Sequence, residues 1–196
     1  MAARPIRKPT LTPFLWFDDD LEEAAQFYLK VFPGSKLGNV ARYGEAGPGP
    51  KGSVMSMDFE IAGHRFAGVN GGPIFKFNES VSFQIDCRDQ AEVDYYWSAL
   101  AGDGGTESQC GWLKDRFGLS WQVVPVQLTA ALSDKDPQRA ARAMRAMLTM
   151  RKIDVATIQA AAAGKEPTLV AAGARESKRV RADTEAAAAQ SRKKKR

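Results

Sequence analysis

The sequence predicts an α+β protein built from two copies of one βαβββ module, followed by C-terminal helices and a disordered basic tail. Three observations carry this prediction. Two segments, TPFLWFDDDLEEAAQFYLKVFPG and VSFQIDCRDQAEVDYYWSAL, share one grammar: an apolar strand, a set of carboxylates, then a helix with one apolar side. They superpose at a constant offset of 68, which lays Phe17-Asp18 on Ile85-Asp86, Ala25 on Val93 and Tyr28 on Tyr96. Beyond Pro125 the strand signals stop, and from Lys165 onward the chain is rich in Ala, Lys and Arg and poor in large apolar residues.

Taken in order, the first module spans residues 8–72. Its helix ends at Pro33-Gly34, and the strand candidates KLGNVARY, VMSMDFEIAG and HRFAGVN follow. Asp18, Asp19 and Asp20 stand immediately before the helix, where carboxylates cap free N–H groups and meet the positive end of the dipole. GPGPKG, residues 47–52, has the form G-x-G-x-x-G, but two prolines remove N–H donors and a strand comes next. It therefore reads as a hairpin loop and not as a cofactor loop.

The second module spans 73–126. In VSFQID, Val81, Phe83 and Ile85 fall on the helix-facing side and Ser82, Gln84 and Asp86 on the other. TESQCGW and LSWQVVP supply its later strands, with Cys110 and Trp112 placed for packing. The helical extension covers 127–164: Asp134 or Asp136 caps a helix with Pro137 in its first turn, and Ala140, Met144, Met147 and Arg151 share one side. IDVATIQAAAAG forms a second helix that stops at Gly164, and residues 165–196 form the tail.

Composition bounds the function. The 196 residues are 44% hydrophobic, with no apolar run of about 18 residues to span a membrane, and MAARPIRKP has no apolar signal-peptide core. Cys87 and Cys110 are far apart and lack C-x-x-C spacing, which fits reduced thiols in a cytoplasmic protein. Residues 171–196 hold nine Lys or Arg against three carboxylates, a charge of +6, so the remainder of the +5 chain carries −1. A near-neutral body with a basic tail leaves weak, salt-sensitive contact with a polyanion or nucleic acid through residues 175–196 as one function class.

Duplicated βαβββ modules resemble the vicinal-oxygen-chelate superfamily of glyoxalases, extradiol dioxygenases and bleomycin resistance proteins. The strings GGPIFKFNESVSFQIDC, QCGWLKDRFGLSWQVVP and LSDKDPQRAARAMRAMLTMRKIDVATIQAA resemble its PhnB-like branch, whose common label is demethylubiquinone methyltransferase; the resemblance covers roughly residues 8–163. It implies sheets curled into an open cup, a ligand or metal on the concave face, and a homodimer whose facing subunits complete each cup. The superfamily's metal-ligand positions project near Thr12, Ala67, Ser80 and Gln122. A divalent site needs three or more imidazole or carboxylate groups, and here the terminal carboxylate position holds the amide Gln122 while the chain has one histidine, His64. The expectation is a cup with no metal and no other cofactor.

A ligand pocket is then expected from the residues on the non-helix face: Thr12, Phe14, Trp16, Ser80, Ser82, Gln84, Ser120 and Gln122, with Val124 on the same side. Phe75 and Phe77 of the linking loop stand at the mouth, and Lys76 between them is placed to receive an anionic group. Aromatic surface with a few neutral hydrogen-bonding groups suits a small organic ligand. His64 lies in a turn at the end of the sheet, an awkward place for a general base. The leading reading is a metal-independent protein that binds or sequesters a small molecule. Its rivals are an enzyme of the same fold (isomerase, lyase or transferase), with an unidentified residue or a metal on Asp58, Glu60 and Gln122, and a nucleic-acid-associated protein acting through its tail.

Overall fold

The structure is a computed structural model that describes residues 10–165. The basic tail expected beyond Lys165 lies outside the described residues.

The first module runs β1 (Phe14–Phe17), α1 (Leu21–Val31), β2 (Lys36–Arg42), β3 (Val54–Ile61) and β4 (His64–Asn70). The second runs β5 (Phe83–Cys87), α2 (Gln90–Ala101), β6 (Thr106–Glu107), β7 (Trp112–Lys114) and β8 (Ser120–Pro125). Each forms a four-stranded sheet of the same topology, β1-β4-β3-β2 and β5-β8-β7-β6, with the first and last strands parallel and the others antiparallel. The duplication read from the offset is thus a duplication of fold.

Leu21, Ala24, Ala25, Tyr28 and Val31 recur at i, i+3, i+4, i+7 and i+10 and are buried. The start of α1 differs from expectation. Asp20 occupies the cap position without a side-chain bond, and the free Leu21 N–H instead donates to Asn70 Oδ1 on β4 at 3.0 Å. Asp89 does cap α2, accepting from the Glu92 N–H at 3.0 Å.

The strand expected through TESQCGW is broken. Cys110 and Gly111 both take positive φ, 59° and 85°, so β6 ends at Glu107 and β7 begins at Trp112. A side chain at Gly111 would lie 2.8 Å from the Val123 carbonyl oxygen, so glycine is required there by space as well as by φ.

The helix-facing sides of both sheets share one core. Tyr28 of α1 packs on Trp121 of β8, Phe32 stacks on Trp121 at 5.2 Å between centroids, and Phe66 of β4 meets Phe83 of β5 edge-on at 5.0 Å. At its centre the buried Asp115 carboxylate accepts from Tyr28 Oη (2.9 Å) and Trp121 Nε1 (2.8 Å) on one oxygen, and from the Phe117 and Leu119 N–H groups on the other. Burial pushes this carboxyl above its usual range against the pull of those four donors, and burial beside Asp115 raises the Tyr28 phenol well above its own.

Three helices follow: α3 (Val126–Leu132), α4 (Pro137–Met147) and α5 (Val155–Ala162). Asp136 caps α4 through the Gln138 N–H at 2.8 Å, with Pro137 at its first turn, and Asp154 caps α5. The buried side of α4 centres on Ala143, with Ala146 and Met147 beside it. Met144, expected on that side, is 42% exposed. This second core, around Leu128, Ile153 and Ile158, packs against Val124 of β8, and the Met150 and Arg151 carbonyls accept from the Cys110 and Gly111 N–H groups.

Candidate functional site

Strand alternation sends every second residue away from the shared core. On the first sheet the outward residues are Phe14 and Trp16, the partners Ala67 and Val69 on β4, and Ser56, Asp58 and Glu60 on β3. On the second they are Gln84 and Asp86, then Ser120, Gln122 and Val124, then Trp112 and Lys114. The outward faces are open in part: Phe14 is 64% exposed, β2 is exposed along its length, and Gln84 and Asp86 are exposed, whereas Ser120 is buried and Val124 packs against the second core.

The second face holds a compact set of neutral polar groups. Gln84 lies opposite Gln122 in register, Gln122 lies opposite Trp112, and Ser120 lies opposite Lys114. Gln122 Nε2 donates to Ser82 Oγ at 2.9 Å, and Gln84 Nε2 donates to Asp86 Oδ1 at 2.7 Å. Ser80 turns back into the linking loop, bonding Asn78 Oδ1 through both its hydroxyl and its N–H.

Aromatic groups dominate the first face. Trp16 lies along Gly71-Gly72, its Nε1 donating to the Gly72 carbonyl at 2.9 Å, and Phe75 meets its ring edge-on at 5.0 Å. Gly71 permits this contact, since a Cβ there would fall 2.1 Å from the indole. Trp16 also lines a cleft of about 820 Å³ under the 44–53 loop, where the GPGPKG segment opens β3, a strand, and not a helix. Phe77 points the other way and packs on Phe17 in the core at 5.2 Å. Lys76 pairs with Asp18 at 3.7 Å.

Thr12 stands before β1 in a separate cleft of about 700 Å³ between the modules, with His64, Phe66, Phe83 and Gln84. Since the helix-facing sides of the two sheets share one core, their outward faces look away from it. A single chain therefore does not bring Phe14, Trp16 and Phe75 together with Ser82, Ser120 and Gln122.

The donor set does not fit a divalent ion. Thr12, Ala67, Ser80 and Gln122 supply no imidazole or carboxylate, and among the described residues no three His, Cys, Asp or Glu side chains converge as a metal site. The carboxylates of the alternative set are engaged: Asp58 accepts from Arg65 Nη2 at 2.9 Å and Glu60 pairs with Lys36 at 3.2 Å, while Gln122 belongs to the other sheet.

Sequence reasoning missed Asp115 and Lys114, which lie in the LKDRFG segment where β7 turns into β8. The available signal was one carboxylate set between two apolar strands three residues before a glycine, the pattern of a side chain folded back on its own turn. Cys87 is buried, and burial pushes its thiol up to about 12. Among the described residues no helix is long and apolar enough to cross a membrane.

The model of the 3-demethylubiquinone-9 3-methyltransferase family matches residues 9–124, more than half of the chain. Among solved structures, a putative 3-demethylubiquinone-9 3-methyltransferase, the PhnB protein from Bacillus cereus, is 30% identical, with a TM-score of 0.55 over 60% of this chain and 99% of its own. A protein from Pseudomonas aeruginosa is 21% identical, with a TM-score of 0.50 over 60% of this chain and 98% of its own, a likeness of fold. The fosfomycin resistance protein FosX from Listeria monocytogenes is more distant, 16% identical at a TM-score of 0.44 over 60% of this chain and 94% of its own. No curated protein matches the sequence.

Proposed function

Because the chain belongs to the 3-demethylubiquinone-9 3-methyltransferase family, the PhnB-like branch of the vicinal-oxygen-chelate superfamily, we propose that it is a cytoplasmic, metal-independent protein that binds or sequesters a small organic molecule. It acts as a homodimer in which the first sheet of one copy closes over the second sheet of its partner. The observation that carries this reading is the Gln122–Ser82 pair with Gln84 across from it, a set of neutral donors and acceptors where metal chemistry would need charged ligands. The ligand lies between these amides and the aromatic surface of Phe14, Trp16 and Phe75, held by stacking and hydrogen bonds. Two unpaired thiols, one of them buried, fit a reducing compartment.

The second reading, catalysis by the same fold, rests on the methyltransferase name of the family. Against it, the one G-x-G-x-x-G segment sits in the β2–β3 hairpin and is followed by a strand, so no helix N-terminus meets a methyl donor there.

Native mass spectrometry of protein purified without chelator or affinity tag tests the proposal. A dimer free of metal, with an organic mass retained or accepted from a metabolite mixture, supports it. A stoichiometric divalent metal overturns it in favour of the enzyme.

A further inference from the structure

The second sheet carries a feature that neutral hydrogen bonding does not explain. Ser120 is 1% exposed, and its hydroxyl has no hydrogen-bond partner among the described residues. Buried hydroxyls are nearly always satisfied, so an unpartnered one calls for a partner. Ser120 lines a cleft of about 580 Å³ together with Trp112, Lys114, Thr106 and Glu79.

Lys114 stands directly opposite Ser120 in register, with its side chain 34% exposed, and its ammonium pairs with the carboxylate of Glu79. Glu79 belongs to the exposed linker between the modules, not to the sheet, and its side chain is 60% exposed. A residue with a buried hydroxyl and one with an ammonium thus border one cleft, and the anion meeting the ammonium is an exposed one from outside the sheet. Trp112, half-buried, lies two residues from Lys114 on the same outward side, about 6.6 Å along the strand.

We propose that this corner is a subsite for the carboxylate of a flat, aromatic organic acid, with Glu79 as the internal anion that the ligand displaces. The ligand's carboxylate accepts from the Ser120 hydroxyl and the Lys114 ammonium while its ring lies along Trp112; charge-assisted bonds of this kind are the strong ones. The subsite rests on the reading of this sheet face as one wall of a ligand cup, and it names the class of ligand that wall takes.

The test is a titration of the full-length protein with benzoate, benzamide and benzylamine, followed by NMR on the Trp112 indole, assigned with Trp112→Phe. Benzoate should shift the Trp112 signal and the other two should not. Lys114→Met should weaken benzoate roughly tenfold, and Ser120→Ala several-fold, as expected for the loss of one charge-assisted or one neutral hydrogen bond. Glu79→Gln, on an exposed linker side chain that the fold does not need, should tighten benzoate by removing its competitor. Equal responses to all three probes, or an unchanged benzoate affinity in Glu79→Gln, would overturn the anion subsite and leave the cup standing. Silence of Trp112 toward every probe would also overturn the subsite, while the cup is judged separately by the mass measurement.

Discussion

Four donors converge on the Asp115 carboxylate, from Tyr28, Trp121, Phe117 and Leu119, and here, as in the Arg116–Glu23 ion pair, helix α1 of the first module is bonded to the β7–β8 turn of the second. An amide keeps one acceptor oxygen and turns an NH₂ toward a donor, so Asp115→Asn should cost about 1–3 kcal/mol, the range for a buried polar group left unpaired. Urea unfolding followed by fluorescence would measure it. Burial raises the folded-state pKa of Asp115 above the ordinary carboxylate value, so its contribution is greatest below that ordinary value and is lost as pH rises through the folded one. The stability gap between wild type and Asp115→Asn should therefore narrow as pH rises from acid toward neutral. A gap that widens would reverse the assignment. Cys87 is buried with its thiol raised, whereas Cys110 is half-buried, so a thiol reagent should titrate Cys110 first in the native protein.

At the scale of elements, the strands and helices were legible wherever one face is buried. Val93, Trp97 and Leu100 of α2 announce their period because they all face the core, and the alternation of VSFQID survives from Phe83, which is in, and Gln84, which is out, whereas Val81, expected on the helix-facing side, precedes β5 and is 64% exposed. Elements decided by contacts from elsewhere were not legible. Asn70 caps α1 from 49 residues away, which no local pattern of carboxylates can reveal. The break at Cys110-Gly111 depends on the Met150 and Arg151 carbonyls of the extension, which accept from those two N–H groups. Helix α4 misled for a different reason: its alanines are short enough to approach the neighbouring helices, so Ala143 is buried and the larger Met144 is left outside. Arg142 donates to the Ala161 and Ala162 carbonyls at the end of α5, at 3.0 and 2.7 Å. Arg142→Ala should destabilise that end by roughly 1–2 kcal/mol, read as faster hydrogen exchange across 155–162. Ile153→Ala, at a fully buried site of the second core, should cost about 2–4 kcal/mol.

At the scale of the molecule, the site residues were legible as a face but not as a pocket. The period of two places Phe14, Trp16, Ser82, Gln84, Ser120 and Gln122 on outward surfaces; the register agrees for all but Ser82, which precedes β5 and joins that face through its bond to Gln122. Which surfaces meet is a matter of how whole sheets pack, and here the aromatic contacts of Tyr28, Phe32 and Phe66 with Trp121 and Phe83 tie the modules together through their helix-facing sides. That packing turns the two halves of the expected pocket away from each other within one chain. It leaves Phe14, 64% exposed, on a sheet face that only another surface can cover. A charge at this position would be desolvated on docking, so Phe14→Glu should shift the assembly toward monomer while leaving the thermal stability of each subunit nearly unchanged. Light scattering across a dilution series would follow that shift.

Whether a second copy completes the cup is decided by sedimentation velocity of the purified wild-type protein at micromolar concentration. A cup shared between two copies gives a species of twice the 21.4 kDa chain mass, with Phe14→Glu sedimenting more slowly. A wild-type protein that remains a 21.4 kDa monomer at those concentrations would contradict it, because the aromatic face and the amide face would then have no means of meeting around a ligand.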